Sequence, residues 1–150
     1  MSLDQVEHVG AVLGSPREGA AEDFFRAISE SGSLPSGIEV DEATSAVSCA
    51  LLARLDLEPA RLVLDALPPE VVRGIGRCPI HGGAAGEAFG EQDFFRRIAE
   101  HLQVAPEAVR PMSAAVLRAL RAQLPPHVNR AVERQLPRAL VTLWRGGARS

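Results

Sequence analysis

The chain has 150 residues, 46% of them apolar and 23% charged, which is the size of one domain and the composition of a packed protein rather than a disordered one. Two cysteines, Cys49 and Cys78, are too few for a disulfide framework and set the expectation of a reducing cytoplasm, while the longest apolar runs fall short of the ~20 residues that span a bilayer. The net charge of −3 hides an uneven split: residues 1–75 hold 13 acidic residues against 5 arginines (−8), and residues 76–150 hold 6 against 11 (+5).

No stretch alternates apolar and polar residues with a period of two, whereas apolar residues recur at spacings of three and four, so the chain reads as all-α. Residues 1–20 carry Leu3, Val6, Val9 and Leu13 at near-helical spacing before the stop Gly14-Ser15-Pro16, and are expected to form a tail or a short docking helix. Asp4, Glu7 and Glu18 in this stretch argue against a secretory leader. A helix opens at Glu22 with Phe24, Phe25 and Ile28 on one stripe and ends near Gly32. Asp41 is the expected N-cap of the next helix, with Glu42 in its first turn and Ala43, Ala46, Val47, Ala50, Leu51 and Leu55 along one side. Pro59 suits the first turn of a third helix carrying Leu62, Val63 and Leu67, and Pro68-Pro69 breaks it. A last short segment holds Val71, Val72 and Ile75, with Gly76 expected as its left-handed stop.

Residues 77–91 are rich in glycine and read as a linker. Beyond it the first half of the chain is repeated. The tetrapeptide Asp23-Phe24-Phe25-Arg26 returns as Asp93-Phe94-Phe95-Arg96, and Ala46, Val47, Ala50, Leu51, Leu55, Val63, Leu67 and Ile75 align with Ala115, Val116, Ala119, Leu120, Leu124, Val132, Leu136 and Trp144. The matched positions are chiefly apolar, so duplication kept the packing residues. Pro111 is expected to break or kink a helix otherwise running from Pro106 to Leu124, with the main helix starting at Pro111. The fold predicted is a bundle of about eight short helices, two tandem four-helix repeats (residues 21–76 and 92–146) packed as one domain about a pseudo-twofold axis.

An Asp-Phe-Phe helix, then an Ala/Val/Leu-rich helix, then a helix closing in Leu-Pro with a short segment after it: in this order the chain resembles the bacterial family catalogued as domain of unknown function 2267. The resemblance covers roughly residues 20–146. It implies a helical tandem-repeat fold and brings no catalytic motif with it.

Candidate sites are few. Cys78 and His81 are three apart, close enough to share a metal or act as nucleophile and base, but no second pair of ligands accompanies them. The glycines Gly82, Gly83 and Gly86 lack the preceding strand and following Gly-Lys-Ser/Thr of a phosphate loop. Arg54 and Gln123 occupy equivalent places on otherwise apolar helical faces, and are read as lying near helix ends with Arg54 reaching water, against the alternative of a polar groove lining.

Charge is the stronger signal. From Ala108 to Ser150 stand Arg110, Arg118, Arg121, Arg130, Arg134, Arg138, Arg145 and Arg149 against Glu133 alone. These arginines, Arg110 to Arg138 first among them, are the candidate anion- or partner-binding residues. The functional expectation is a non-catalytic protein-binding or scaffolding module with no cofactor and no membrane, its partner another protein or itself. A nucleic-acid or anion binder using the arginines is the alternative, and a metal or thiol site at Cys78 and His81 a third. A sequence pI near 5.8 and the lack of aromatic residues interleaved with the arginines weigh against nucleic acid.

Overall fold

The computed structural model describes residues 19–76 and 90–146. Among them are eight α-helices and no strand: α1 (Ala20–Glu30), α2 (Val40–Arg54), α3 (Leu57–Ala66), α4 (Pro69–Gly76), α5 (Glu91–Leu102), α6 (Pro106–Gln123), α7 (Pro126–Glu133) and α8 (Arg138–Trp144). The expected segment at residues 3–13, the glycine-rich stretch with Cys78 and His81, and Arg149 lie outside the described residues.

The helix boundaries follow local chemistry. Glu22 and Asp23 set negative charge in the first turn of α1, where unpaired N–H groups favour it, and Gly32 ends the turn beyond the helix with φ 72°. In α3, Pro59 lies in the first turn, where its missing N–H costs nothing, and the chain stops ahead of Pro68-Pro69. The Pro68 carbonyl accepts from both Val71 and Val72 N–H, at 3.0 and 3.1 Å, and so starts α4. At α5 the left-handed terminal position is filled by Gln103 (φ 58°), and Val104 N–H closes the end on the Ala99 carbonyl at 3.1 Å.

Two expectations about boundaries are corrected. The cap of α2 is Glu39, not Asp41: a turn in which Ile38 N–H donates to the Pro35 carbonyl (3.1 Å) brings the chain into the helix two residues earlier. There the Glu42 carboxylate accepts from the Glu39 backbone N–H at 2.9 Å, one arm of a capping box, and Asp41 falls in the first turn. The second concerns where the main helix starts: not at Pro111 but at Pro106, with Pro111 inside α6 and no break there. Its place explains this. Glu107, whose carbonyl loses a donor to the proline ring, is exposed along with Arg110 and Pro111, so water can take up that carbonyl. On the opposite face Val109, Met112, Ser113, Ala115 and Val116 are buried and carry the helix through the break.

Burial concentrates on α2 and α6, which pack on each other. Nine of the fifteen residues of α2 are buried, on all its sides, and most of those are small (Ala43, Ala46, Ser48, Cys49, Ala50), which lets neighbouring helices approach closely. The connectivity crosses over. The first helix of each half lies on the long helix of the other: α1 packs on α6, and α5 on α2. Within each half the short last helix packs on its own long helix, α4 on α2 and α8 on α6.

The aligned apolar pairs are buried at both members, from Phe24 and Phe94 through Val47 and Val116 to Ile75 and Trp144. The paired phenylalanines divide their roles. Phe24 and Phe94 are buried, while Phe25 and Phe95 remain half-buried at the edge of the core, so only the first ring of each motif is a full core anchor.

Candidate functional site

On α6 a turn of about 100° per residue brings Arg110, Arg118 and Arg121 within an arc of about 80° on one face. Arg110 and Arg118 are exposed there and Arg121 is half-buried. On α7 and the residue after it, His127, Arg130 and Arg134 are exposed at spacings of three and four. Arg138, Thr142 and Arg145 are exposed at spacings of four and three on α8 and just beyond its end.

Three of the arginines converge. Glu133, at the end of α7, accepts a hydrogen bond on Oε1 from Arg145 Nη2 at 2.7 Å, with the carboxylate side chain 16% exposed and the guanidinium side chain 60% exposed. That bond holds the Glu133 carboxyl below the usual carboxylate range, burial works against it, and the positive field of Arg145 and Arg121 adds to it. Arg145 is shifted upward by the same bond. Arg118 lies alongside the end of α8: a Cβ built at Gly146 would sit 3.8 Å from its Nε. Arg118, Arg121 and Arg145 therefore gather where α8 lies on α6, with Glu133 among them. Arg130, Arg134 and Arg138 are exposed and make no ion pair among the described residues.

Arg110 stands apart from that cluster. It donates to Glu91 Oε2 at 2.7 Å, and its guanidinium carbon lies 5.2 Å from the centre of the Phe95 ring. An open groove of about 380 Å³ runs here, lined by Gln92, Phe95 and Arg96 of α5 and Pro106, Glu107 and Arg110 of α6. The first half lacks its counterpart: Asp41 and Ala21 stand where the second half has Arg110 and Glu91.

A third surface is not among those expected from charge and motifs. Helices α3 and α7, which align in the sequence repeat, pack on each other. They are tied at one end. The Asp56 backbone N–H donates to Gln135 Oε1 at 2.6 Å, and Gln135 Nε2 donates to Asp56 Oδ2 at 2.9 Å. Glu58, Arg61 and Asp65 are exposed on α3, and their aligned positions on the α7 side are the exposed His127, Arg130 and Arg134. Leu57 stands beside the clasp, 67% exposed, the single large apolar side chain so exposed among the described residues. The repeat alignment carries the signal for this face, but at its polar positions rather than its apolar ones.

The ion pairs Arg26–Asp23, Arg96–Asp93, Arg110–Glu91 and Arg145–Glu133 each join residues of one half, so none of these four uses the charge difference between the halves. Arg54 and Gln123 are the last residues of α2 and α6 and are half-buried, as expected of side chains near helix ends. Cys49 is buried in α2 with Sγ 3.9 Å from the Ile75 carbonyl oxygen. Among the described residues no three His, Cys, Asp or Glu side chains are grouped so as to hold a metal ion, and no helix is long and apolar enough to cross a membrane.

Residues 21–143 match the profile of a family described as an uncharacterized conserved protein (DUF2267). No curated protein matches the chain.

Proposed function

The chain belongs to the DUF2267 family, and from that premise we propose that it is a non-catalytic protein-binding module whose α6–α8 surface takes an acidic surface of a partner protein. The observation that supports this reading is the number of exposed arginines on α6 to α8. Glu133 is the sole acidic residue between 108 and 150, and its carboxylate is already engaged by Arg145, which leaves Arg118, Arg130, Arg134 and Arg138 exposed to the solvent. Such a surface attracts carboxylates over roughly a Debye length, about 8 to 10 Å at moderate salt.

Mixed sign favours a protein over nucleic acid. Glu58 and Asp65 are exposed on α3, which packs against the helix carrying Arg130, so acidic and basic residues are both exposed on this helix pair. We propose a cytoplasmic location as well, where the buried Cys49 thiol stays reduced.

Binding of the full chain to a polyglutamate peptide and to a duplex DNA of equal charge tests the reading. Polyglutamate should bind at low salt, release as salt rises, and weaken at least about tenfold in an Arg118→Glu, Arg130→Glu variant. Tighter binding to the duplex, or polyglutamate binding indifferent to those substitutions, overturns it.

A further inference from the structure

One wall of the groove between α5 and α6 is a guanidinium held in place. Arg110 is fixed from two directions, by Glu91 Oε2 at 2.7 Å and by the Phe95 ring, whose centre lies 5.2 Å from its guanidinium carbon. Its side chain is nevertheless 54% exposed, and it lines the groove together with Phe95 and Pro106. A fixed planar cation beside apolar walls suits an aromatic side chain, which gains apolar contact and the attraction of a ring for a cation at once. A carboxylate does not belong there. Glu107 lines the groove as well, and Glu91 and Asp93 already hold Arg110 and Arg96, so an added negative charge would meet three carboxylates set against two guanidinium groups.

A carboxylate finds its place further along α6. Arg110, Ala114 and Arg118 form one row at steps of four, which carries Arg118 about 12 Å along the helix from Arg110. Ala114 adds no bulk between them and is half-buried. Arg118 is exposed beside the end of α8 and makes no ion pair among the described residues.

We infer that the groove and this row together take an extended segment of a partner protein. An aromatic side chain of the segment enters the groove against Phe95 and Arg110, and a glutamate or aspartate four residues away from it pairs with Arg118. The inference rests on the protein-binding function proposed for the chain, and narrows the partner from an acidic surface to an aromatic residue and a carboxylate at a set spacing. That spacing follows from the row, because an extended chain advances about 3.3 Å per residue and covers about 12 Å in roughly four. The first half has Asp41 and Cys49 at the positions aligned with Arg110 and Arg118, so it offers no second copy of the row.

Fluorescence anisotropy of labelled nine-residue Gly/Ser peptides with the full chain at low salt is the test. The first peptide carries a central tryptophan with a glutamate four residues to either side. A second replaces the tryptophan by alanine, and a third keeps the composition but sets both glutamates next to the tryptophan. The first should bind about fivefold or more tighter than either of the others. Gln92→Trp, which fills the groove from α5, and Arg110→Ala should each erase the advantage over the alanine peptide. Arg118→Gln should reduce the advantage over the third. Unchanged circular-dichroism melts verify that these substitutions leave the fold intact.

No binding of the first peptide, binding equal to that of the second or third, or an advantage that survives both Gln92→Trp and Arg110→Ala overturns the inference. If polyglutamate binding still depends on Arg118 and Arg130 in that event, only the groove is lost and the broader binding function stands. Binding of the first peptide as expected by a chain that ignores polyglutamate upholds the groove and removes the acidic-surface reading instead.

Discussion

The rings of Phe24 and Phe25 meet edge to face at 79°, centroids 5.3 Å apart, yet only the first is enclosed: Phe24 is 1% exposed and Phe25 half-buried. Phe94 and Phe95 repeat the arrangement at 5.5 Å and 72°. Phe24→Ala or Phe94→Ala should therefore lower the unfolding free energy by about 3 to 5 kcal/mol, as expected for a buried ring. Phe25→Ala or Phe95→Ala removes less enclosed surface and should cost about 1 to 2 kcal/mol. Urea unfolding of the four variants checks the contrast, and equal losses within a pair would contradict it.

Pro111 sits where a helix gains nothing from it. Its carbonyl partner four residues back is exposed and the helix continues through, so Pro111→Ala restores one backbone bond without moving the core. A proline inside a helix costs about 3 kcal/mol, partly returned by the restraint it puts on the unfolded chain, so a gain of about 1 to 2 kcal/mol is expected. Thermal melting reads the gain directly, and a drop in midpoint would show that α6 depends on the proline.

Gln103 holds a left-handed backbone at the end of α5, where the first half uses Gly32 after α1. A side chain in that region is strained by about 1 kcal/mol. Gln103→Gly should accordingly stabilise the chain by a few tenths to about 1 kcal/mol, while Gly32→Gln should destabilise it by about as much. Opposite signs for the two exchanges in chemical unfolding are the outcome that matters.

Among the described residues, His101 and Glu133 contribute to the response to acid. Burial lowers the His101 pKa below its ordinary 6.5, so the folded chain resists the proton that the unfolded chain accepts. Stability from this source is complete above about pH 6.5 and is lost as pH falls through the lower folded value. Glu133, depressed chiefly by its bond to Arg145, contributes stability that is complete above the ordinary 4.5 and goes at lower pH still. Unfolding free energies measured from about pH 8 to about pH 3 should fall in two stages. His101→Gln should remove the first stage and Glu133→Gln the second, and a curve unchanged by either would refute the assignment.

The Asp56–Gln135 clasp spans 79 residues of sequence. Both side chains are at the surface, so a double-mutant cycle with Asp56→Ala and Gln135→Ala should give a coupling of about 0.5 to 1.5 kcal/mol. A coupling near zero would mean that α3 and α7 are held by their apolar contacts alone.

The helices are legible in the sequence because a core writes itself as apolar spacing, and the aligned positions of the two halves write it twice. Val47 with Val116 and Leu55 with Leu124 pair by sequence and are all buried. Illegible are the choices in which tertiary packing outweighs a local preference. Asp41 is the better cap by type, and the choice of Glu39 falls to a turn at Pro35–Ile38 and the reach of Glu42. Pro111 by itself reads as a helix breaker, whereas the buried face from Val109 to Val116 overrides it. The candidate site divides the same way. The arginine excess is plain by counting, but the approach of Arg121 and Arg145 to Glu133, and of Arg118 to the end of α8, depends on α8 lying on α6, and the clasp between α3 and α7 on how the halves meet.

The crossed packing of α1 on α6 and α5 on α2 bears on what the connection between the halves supplies. Each half, taken alone, would leave part of its long helix uncovered, although α5 also packs on α6 within the second half. The peptide joining them converts an encounter between two pieces into a closure within one molecule. Cleavage within that peptide would leave the contacts in place but tie their survival to protein concentration, so a nicked chain should hold together when concentrated and come apart on dilution.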